Sequence, residues 1–335
     1  MRLDTPERKR AHRRNPELEQ VLEQLNRALA PAGDARAAEY DLPRHPVVLV
    51  VGCPRSGTTL LMQWLAAAGC FSVPSNLVAR FFRAPAIGAL VERVLFDPVL
   101  DFRGELRMDA GDADFESSLG KTRGPLQPSE FWYFWRRFFP PGQTARIDEA
   151  ALARVDGARF VRELAAWEAV RDHPLALKAM LLDWHLPLLA GLLERSLFLD
   201  VVREPFFNIQ SLLAARREFF GDETQWYSLK PPEYGRLRTL DPVRQVAGQV
   251  RATRHAIDGG LAAIPADRRV RVDYERFCER PVETWTRLRQ AISRLGHELP
   301  VEPPGPTRFD VHDHVHVDQR RADEIRTAWS DVAAT

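Results

Sequence analysis

"HPVVLVVGCPRSGTTLLMQWLAAAG", residues 45–69, decides the fold. Its opening, Val47–Val51, is an unbroken apolar and β-branched run, the composition of a strand buried on both faces. From Thr58 the pattern is helical and closes at Gly69. Between them lies a short loop bounded by Gly52 and Gly57. A loop of this kind leading into a helix turns backbone N–H groups, and the positive end of the helix, toward one point where an oxyanion is stabilised. Gly52, Gly57 and Thr59 match the spacing of the phosphate-binding pattern G-x-x-x-x-G-K-[ST]. The lysine position, however, holds Thr58, and an arginine, Arg55, stands inside the loop. A nucleoside triphosphate would lose a main counter-charge here. Hydroxyls from Ser56, Thr58 and Thr59, with the planar fork of Arg55, suit a single 5′-phosphate carrying a leaving group.

Working outward, the same alternation continues. "PELEQVLEQLNRALAPAG" (16–33) has helical spacing and is expected to end at Pro31 and Gly33. "PLALKAM" (174–180) and "SLFLDVVRE" (196–204) are strand candidates, and "RRVRVDYERF" (268–277) is a third. Helices are expected over "LPLLAGLLE", "PFFNIQSLLAARREFFG", "DPVRQVAGQVRATRHAIDGGL" and "PVETWTRLRQAISRLG". Strands alternating with helices predict a three-layer α/β fold with a mainly parallel central sheet, a P-loop-like phosphate site and helical additions. Residues 70–150, rich in aromatics, are expected as helices and loops over the sheet's edge. The chain divides into a basic segment and helix (1–40), the main domain (41–300) and a tail (301–335). His312, His314 and His316 alternate in that tail and are expected in solvent rather than on a metal.

Bulk properties narrow the function. The chain has 335 residues, 45% hydrophobic and 28% charged, with a net charge of +1. That is ordinary for a soluble globular protein and makes no global electrostatic case for nucleic acid. Three cysteines, an odd number, fit a reduced, cytoplasmic setting. No apolar run is long enough to span a bilayer, and the N-terminus has no secretory h-region.

Three stretches, taken in order, resemble one family. "PRSGTTLL" (54–61) is similar to the 5′-phosphosulfate loop of PAPS-dependent sulfotransferases, in the branch with "RSGTT" rather than "KSGTT". "LFLDVVREPFFNIQSLL" (197–213) resembles that family's 3′-phosphate motif, with Arg203 and Ser211 in its arginine and serine places. "RVRVDYERFCERPVETWTRL" (269–288) looks like the family's late strand and helix, whose tyrosine, here Tyr274, lies near the adenine. The resemblance implies a transferase that moves a sulfuryl group from PAPS to a hydroxyl or amine and releases PAP. It implies Arg55, Ser56, Gly57, Thr58, Thr59, Arg203, Ser211 and Tyr274 as cofactor-binding residues, with no metal. It also implies a strand-end lysine about two dozen residues before the arginine, which is Lys178.

The general base is where the sequence departs from the pattern. The positions at which relatives carry a glutamate or a histidine hold Asn76 and Met180. Two substitutes stand out. His185 is the residue type whose ordinary pKa lies nearest neutrality. Glu130 sits in the aromatic run "PSEFWYFW". Asp183 is a weaker third. The acceptor is expected to be small and apolar; the aromatics of 131–135 are expected as core, with lining of the acceptor pocket as the alternative, and the loop "WYSLKPPEY" (226–234) is long enough to cover the site. Two rivals read the same loop differently. One is a P-loop nucleotide kinase with Asp200 as its metal-holding carboxylate; the other is a nucleotide-binding module without catalysis. A cysteine phosphatase built on Cys53 fails on spacing, because its arginine would have to be Thr59.

Overall fold

The computed structural model describes residues 8–101, 103–106, 108, 115–303 and 305–333. In chain order the elements are α1 (Pro16–Ala37), β1 (Val47–Gly52), α2 (Thr58–Ala67), α3 (Pro85–Phe96), α4 (Trp132–Phe138), α5 (Glu149–Leu152), α6 (Gly157–Glu168), β2 (Ala176–Lys178), α7 (Leu186–Leu192), β3 (Ser196–Val202), α8 (Pro205–Phe220), α9 (Tyr234–Leu237), α10 (Pro242–Ala262), β4 (Arg269–Asp273), α11 (Tyr274–Glu279), α12 (Pro281–Arg294) and α13 (Gln319–Ala333). Four strands form one sheet in the order β2-β1-β3-β4. Every pairing is parallel, so the sheet is α/β with helices on both faces, as the alternation predicts.

The two-residue period of β1 separates the layers. Val47, Leu49 and Val51 enter a core with α6 and α7. Val48 and Val50 enter another with α2 and α12, around Trp64 and Trp285. Both faces of the strand are therefore dry, which explains its lack of alternation in the sequence. The chain leaves β1 for β2 on one side and returns to β3 on the other. The order reverses at β1/β3, the place where a parallel sheet opens a crevice at its carboxyl edge.

One helix differs from the sequence's indications, and both terminal segments are tied to the fold. Helix α1 runs through Pro31 and Gly33 to Ala37. Tertiary packing overrides the breakers: a Cβ at Gly33 would lie 2.7 Å from the Arg83 carbonyl, so the glycine admits a close approach of the Arg83–Ala84 backbone. Buried Asn26 pins the same contact, donating to the Leu22 and Arg80 carbonyls and accepting from the Arg83 N–H. The basic segment is anchored from Arg8 onward. Lys9 N–H donates to the Phe219 carbonyl (3.0 Å), and the His12 ring stacks on Phe219. Residues 301–335 include α13, whose apolar face, with Ile325 and Ala328, packs on α8 and α10. No helix among the described residues is long and apolar enough to cross a membrane.

Candidate active site

The parallel register brings four strand ends to one edge. Val50 aligns with Lys178, Gly52 with Val201, and Val202 with Asp273. The next residues in each chain segment are therefore neighbours: the loop 53–57 after β1, Lys178 ending β2, Arg203 after β3 and Tyr274 after β4. Together they line a cleft of about 1310 Å³.

The loop's shape follows from two residues. Gly57 has φ +96° and caps α2, and a Cβ there would fall 2.2 Å from Cδ2 of Tyr274. Arg55 is in the left-handed region at φ +69°, a conformation that costs a non-glycine residue about 1–2 kcal/mol. It is held from outside the loop. Its carbonyl accepts from Arg203 Nη1 (3.0 Å), and its Nε donates to Ser211 Oγ (3.2 Å). Ser56 Oγ is buried and lacks a hydrogen-bond partner. The first-turn N–H groups of α2 have no intrahelical acceptors, so they are free to donate at the mouth of the loop. We expect Gly57→Ala to destabilise the fold by about 1–3 kcal/mol through strain and displacement of Tyr274; an unfolding midpoint equal to the parent's would refute this.

Lys178 is buried at the far side. Its Nζ donates to Thr59 Oγ1 (2.9 Å) and to Glu130 Oε1 (2.6 Å). The other Glu130 oxygen accepts from Trp132 Nε1. Glu130 thus enters the cleft fixed at both oxygens, beside the loop. His185 does not line it. That imidazole is buried elsewhere, its Nε2 accepts from the Ile147 N–H (2.8 Å), and burial, then Arg146, lowers its pKa. Asp183 is also walled off, with burial raising its pKa well above the carboxylate range. Asn76 binds Thr122 and the Gly124 carbonyl, which holds the 115–131 segment where Glu130 can reach Lys178.

Arg203 is enclosed. Its Nε donates to Asp313 Oδ1 (2.9 Å), Nη2 donates to the same oxygen and to the His312 carbonyl, and the guanidinium lies 4.7 Å from the Tyr274 ring centroid. The segment carrying Asp313 is clamped by Gln210, which donates to the His314 carbonyl and accepts from the His316 N–H. Reading 301–335 as a solvated tail missed this contact; the alternating polar sequence gives no sign of a strap laid over α8. Among the described residues no group of three or more His, Cys, Asp or Glu is placed to hold a metal ion.

Phe131, Phe134 and Trp135 of the aromatic run are core, whereas Trp132 and Tyr133 face the cleft. Trp226–Lys230 line its opposite wall. Two rival chemistries meet obstacles. Asp200 is committed to Arg254 through two bonds of 2.7 and 3.1 Å. Burial pushes the Cys53 thiol up to about 12, so it is no thiolate nucleophile.

A family model described as "Sulfotransferase family" matches residues 46–294. The fold is similar to that of sulfotransferase STF9 from Mycobacterium avium, at 15% identity and a TM-score of 0.52, over 98% of this chain and 87% of that one. It is also similar to sulfotransferase STF1 from Mycobacterium tuberculosis H37Rv, at 14% identity and a TM-score of 0.51, over 92% and 81%. No curated protein matches the chain in sequence.

Proposed function

The chain belongs to the sulfotransferase family, and from that premise we propose that it moves a sulfuryl group from PAPS to a hydroxyl, or an amine, of a small acceptor and releases PAP. One observation carries the donor assignment. Residues expected at opposite ends of the nucleotide are bonded to one another in a single cleft, Arg55 to Ser211 and Arg203 to the Arg55 carbonyl. The loop N–H groups, Arg55 and the orphaned Ser56 hydroxyl suit the 5′-phosphate. Arg203 and Ser211 suit the 3′-phosphate, and Tyr274 lies between these groups as a ring against which adenine can pack.

In this reading Glu130 is the base. It takes the acceptor's proton as the acceptor oxygen bonds to sulfur and the bond from sulfur to the 5′-phosphate oxygen breaks. Lys178 stabilises charge on the sulfuryl and leaving oxygens, and Thr59 holds the lysine in place. His185, the other candidate base, does not line the cleft, and its Nε2 is taken by the Ile147 N–H. The kinase reading would need Asp200 free for a metal, and the Arg254 pair disfavours it.

Calorimetric titration with PAP, AMP and ATP–Mg²⁺ tests the donor. PAP is expected to bind at micromolar concentration and more tightly than either rival. Preference for ATP–Mg²⁺ would support a kinase. Tight PAP binding without sulfuryl transfer to any of a broad acceptor panel would support a non-catalytic module.

A further inference from the structure

Trp132 and Arg136 stand one turn apart on α4 and share a face. The Arg136 guanidinium lies 4.9 Å from the Trp132 ring centroid. That indole donates to one oxygen of Glu130, whose other oxygen binds Lys178. All four side chains line the cleft. Arg136 is half-buried, its Nε is buried without a hydrogen-bond partner, and no carboxylate among the described residues forms an ion pair with it. Burial, then the charge of Arg14, push its pKa down, with Arg8 adding to this and Tyr133 and Glu130 opposing it. Arg14 itself is taken by Glu19 and the Tyr133 hydroxyl. Nine Lys and Arg side chains line the cleft among the described residues, against three carboxylates, Glu116, Glu130 and Asp310. A guanidinium drawn partly out of water with no ion pair among the described residues is stabilised further by an anion that arrives to meet it.

We propose that Arg136 binds an anionic group on the acceptor, a carboxylate, phosphate or sulfate, about one indole's width from the hydroxyl that faces Glu130. The acceptor is then a hydroxylated aromatic or apolar molecule with an anion at one end. This amends the purely apolar acceptor that the aromatic run suggests. It rests on reading the cleft as a sulfuryl-transfer site, and the Arg136 geometry adds the polarity of what enters it. The bidentate fork of arginine favours a planar or tetrahedral oxyanion over a lone hydroxyl.

The test compares 4-hydroxyphenylacetate with its methyl ester, each titrated into PAP-saturated protein. The acid is expected to bind about tenfold or more tightly than the ester. In R136Q the two are expected to bind alike, with part of the difference restored in R136K. Equal or weaker binding of the acid by the parent protein overturns the proposal, and needs no variant to fold. A preference for the acid that persists in R136Q also overturns it. So does a loss of PAP affinity in R136Q as large as the loss of acid affinity, which would assign Arg136 to the nucleotide. PAP is titrated alone first. Failure there sinks the sulfuryl-transfer reading, while the acid–ester comparison on nucleotide-free protein still decides the anion site.

Discussion

Lys178→Ala is expected to lower kcat by about 10²–10³-fold, the scale for losing one preorganised donor at a developing oxyanion. PAP should still bind, with a loss much smaller than the loss in kcat, because PAP keeps the leaving oxygen but not the sulfuryl group that the ammonium also faces. The geometry makes the effect specific. Nζ is fixed by Thr59 and Glu130 and is buried, so it adds charge in a poorly solvated place where charge acts strongly. Glu130→Gln separates the two roles. The amide oxygen still accepts from Lys178, so the lysine keeps that partner, whereas the amide NH2 meets the Trp132 N–H and that bond is lost; the proton acceptor is gone and turnover should fall by about 10²–10⁴-fold. Stopped assays with labelled PAPS and an accepted hydroxyl compound measure both. A Lys178→Ala enzyme within fivefold of the parent would remove the lysine from the chemistry. An active Glu130→Gln would reopen the search for the base.

What was legible in the sequence was local. The strand Val47–Val51 and the loop to Gly57 are read from contiguous residues, because a buried parallel strand and a glycine loop leave composition signals that tertiary context rarely reverses; Arg203 is legible only through the family resemblance. Lys178 was legible for a related reason: a charge in an apolar strand needs a partner or a task. Its partner was not legible. Glu130 is 48 residues away, delivered by a segment that Asn76 helps to hold, and no periodicity records that route. His185 illustrates the converse. Its residue type suits a base, but type does not reveal that the Ile147 N–H already occupies its Nε2. Arg136 stands in a run whose aromatics suggest an apolar wall, and the sequence carries no sign that its guanidinium lines the cleft. Pro31 was read as a terminator, and α1 passes through it because the close approach at Gly33 fixes the helix on its neighbours.

The strap across Arg203 sets up the second large effect. Arg203→Ala is expected to weaken PAP binding by roughly 10–100-fold, the range for losing charge-assisted hydrogen bonds to a phosphate. It also frees the strained Arg55 carbonyl from its donor, so part of the loss falls on the loop. Asp313 gives this prediction its sign. Its Oδ1 accepts from both Nε and Nη2, the edge of the fork that a 3′-phosphate would take. On that reading carboxylate and phosphate would compete for one guanidinium, and the Asp313 contact would have to yield to the nucleotide. Asp313→Asn keeps the shape and removes the charge, so PAP should bind about tenfold more tightly. Arg203→Ala/Asp313→Asn should bind like Arg203→Ala alone if the aspartate acts on the phosphate through the arginine rather than through its other neighbour, Glu275. Weaker binding by Asp313→Asn would mean that the aspartate orients Arg203 for the phosphate instead of screening it. An undiminished affinity in Arg203→Ala would remove the 3′-phosphate from this strand end altogether.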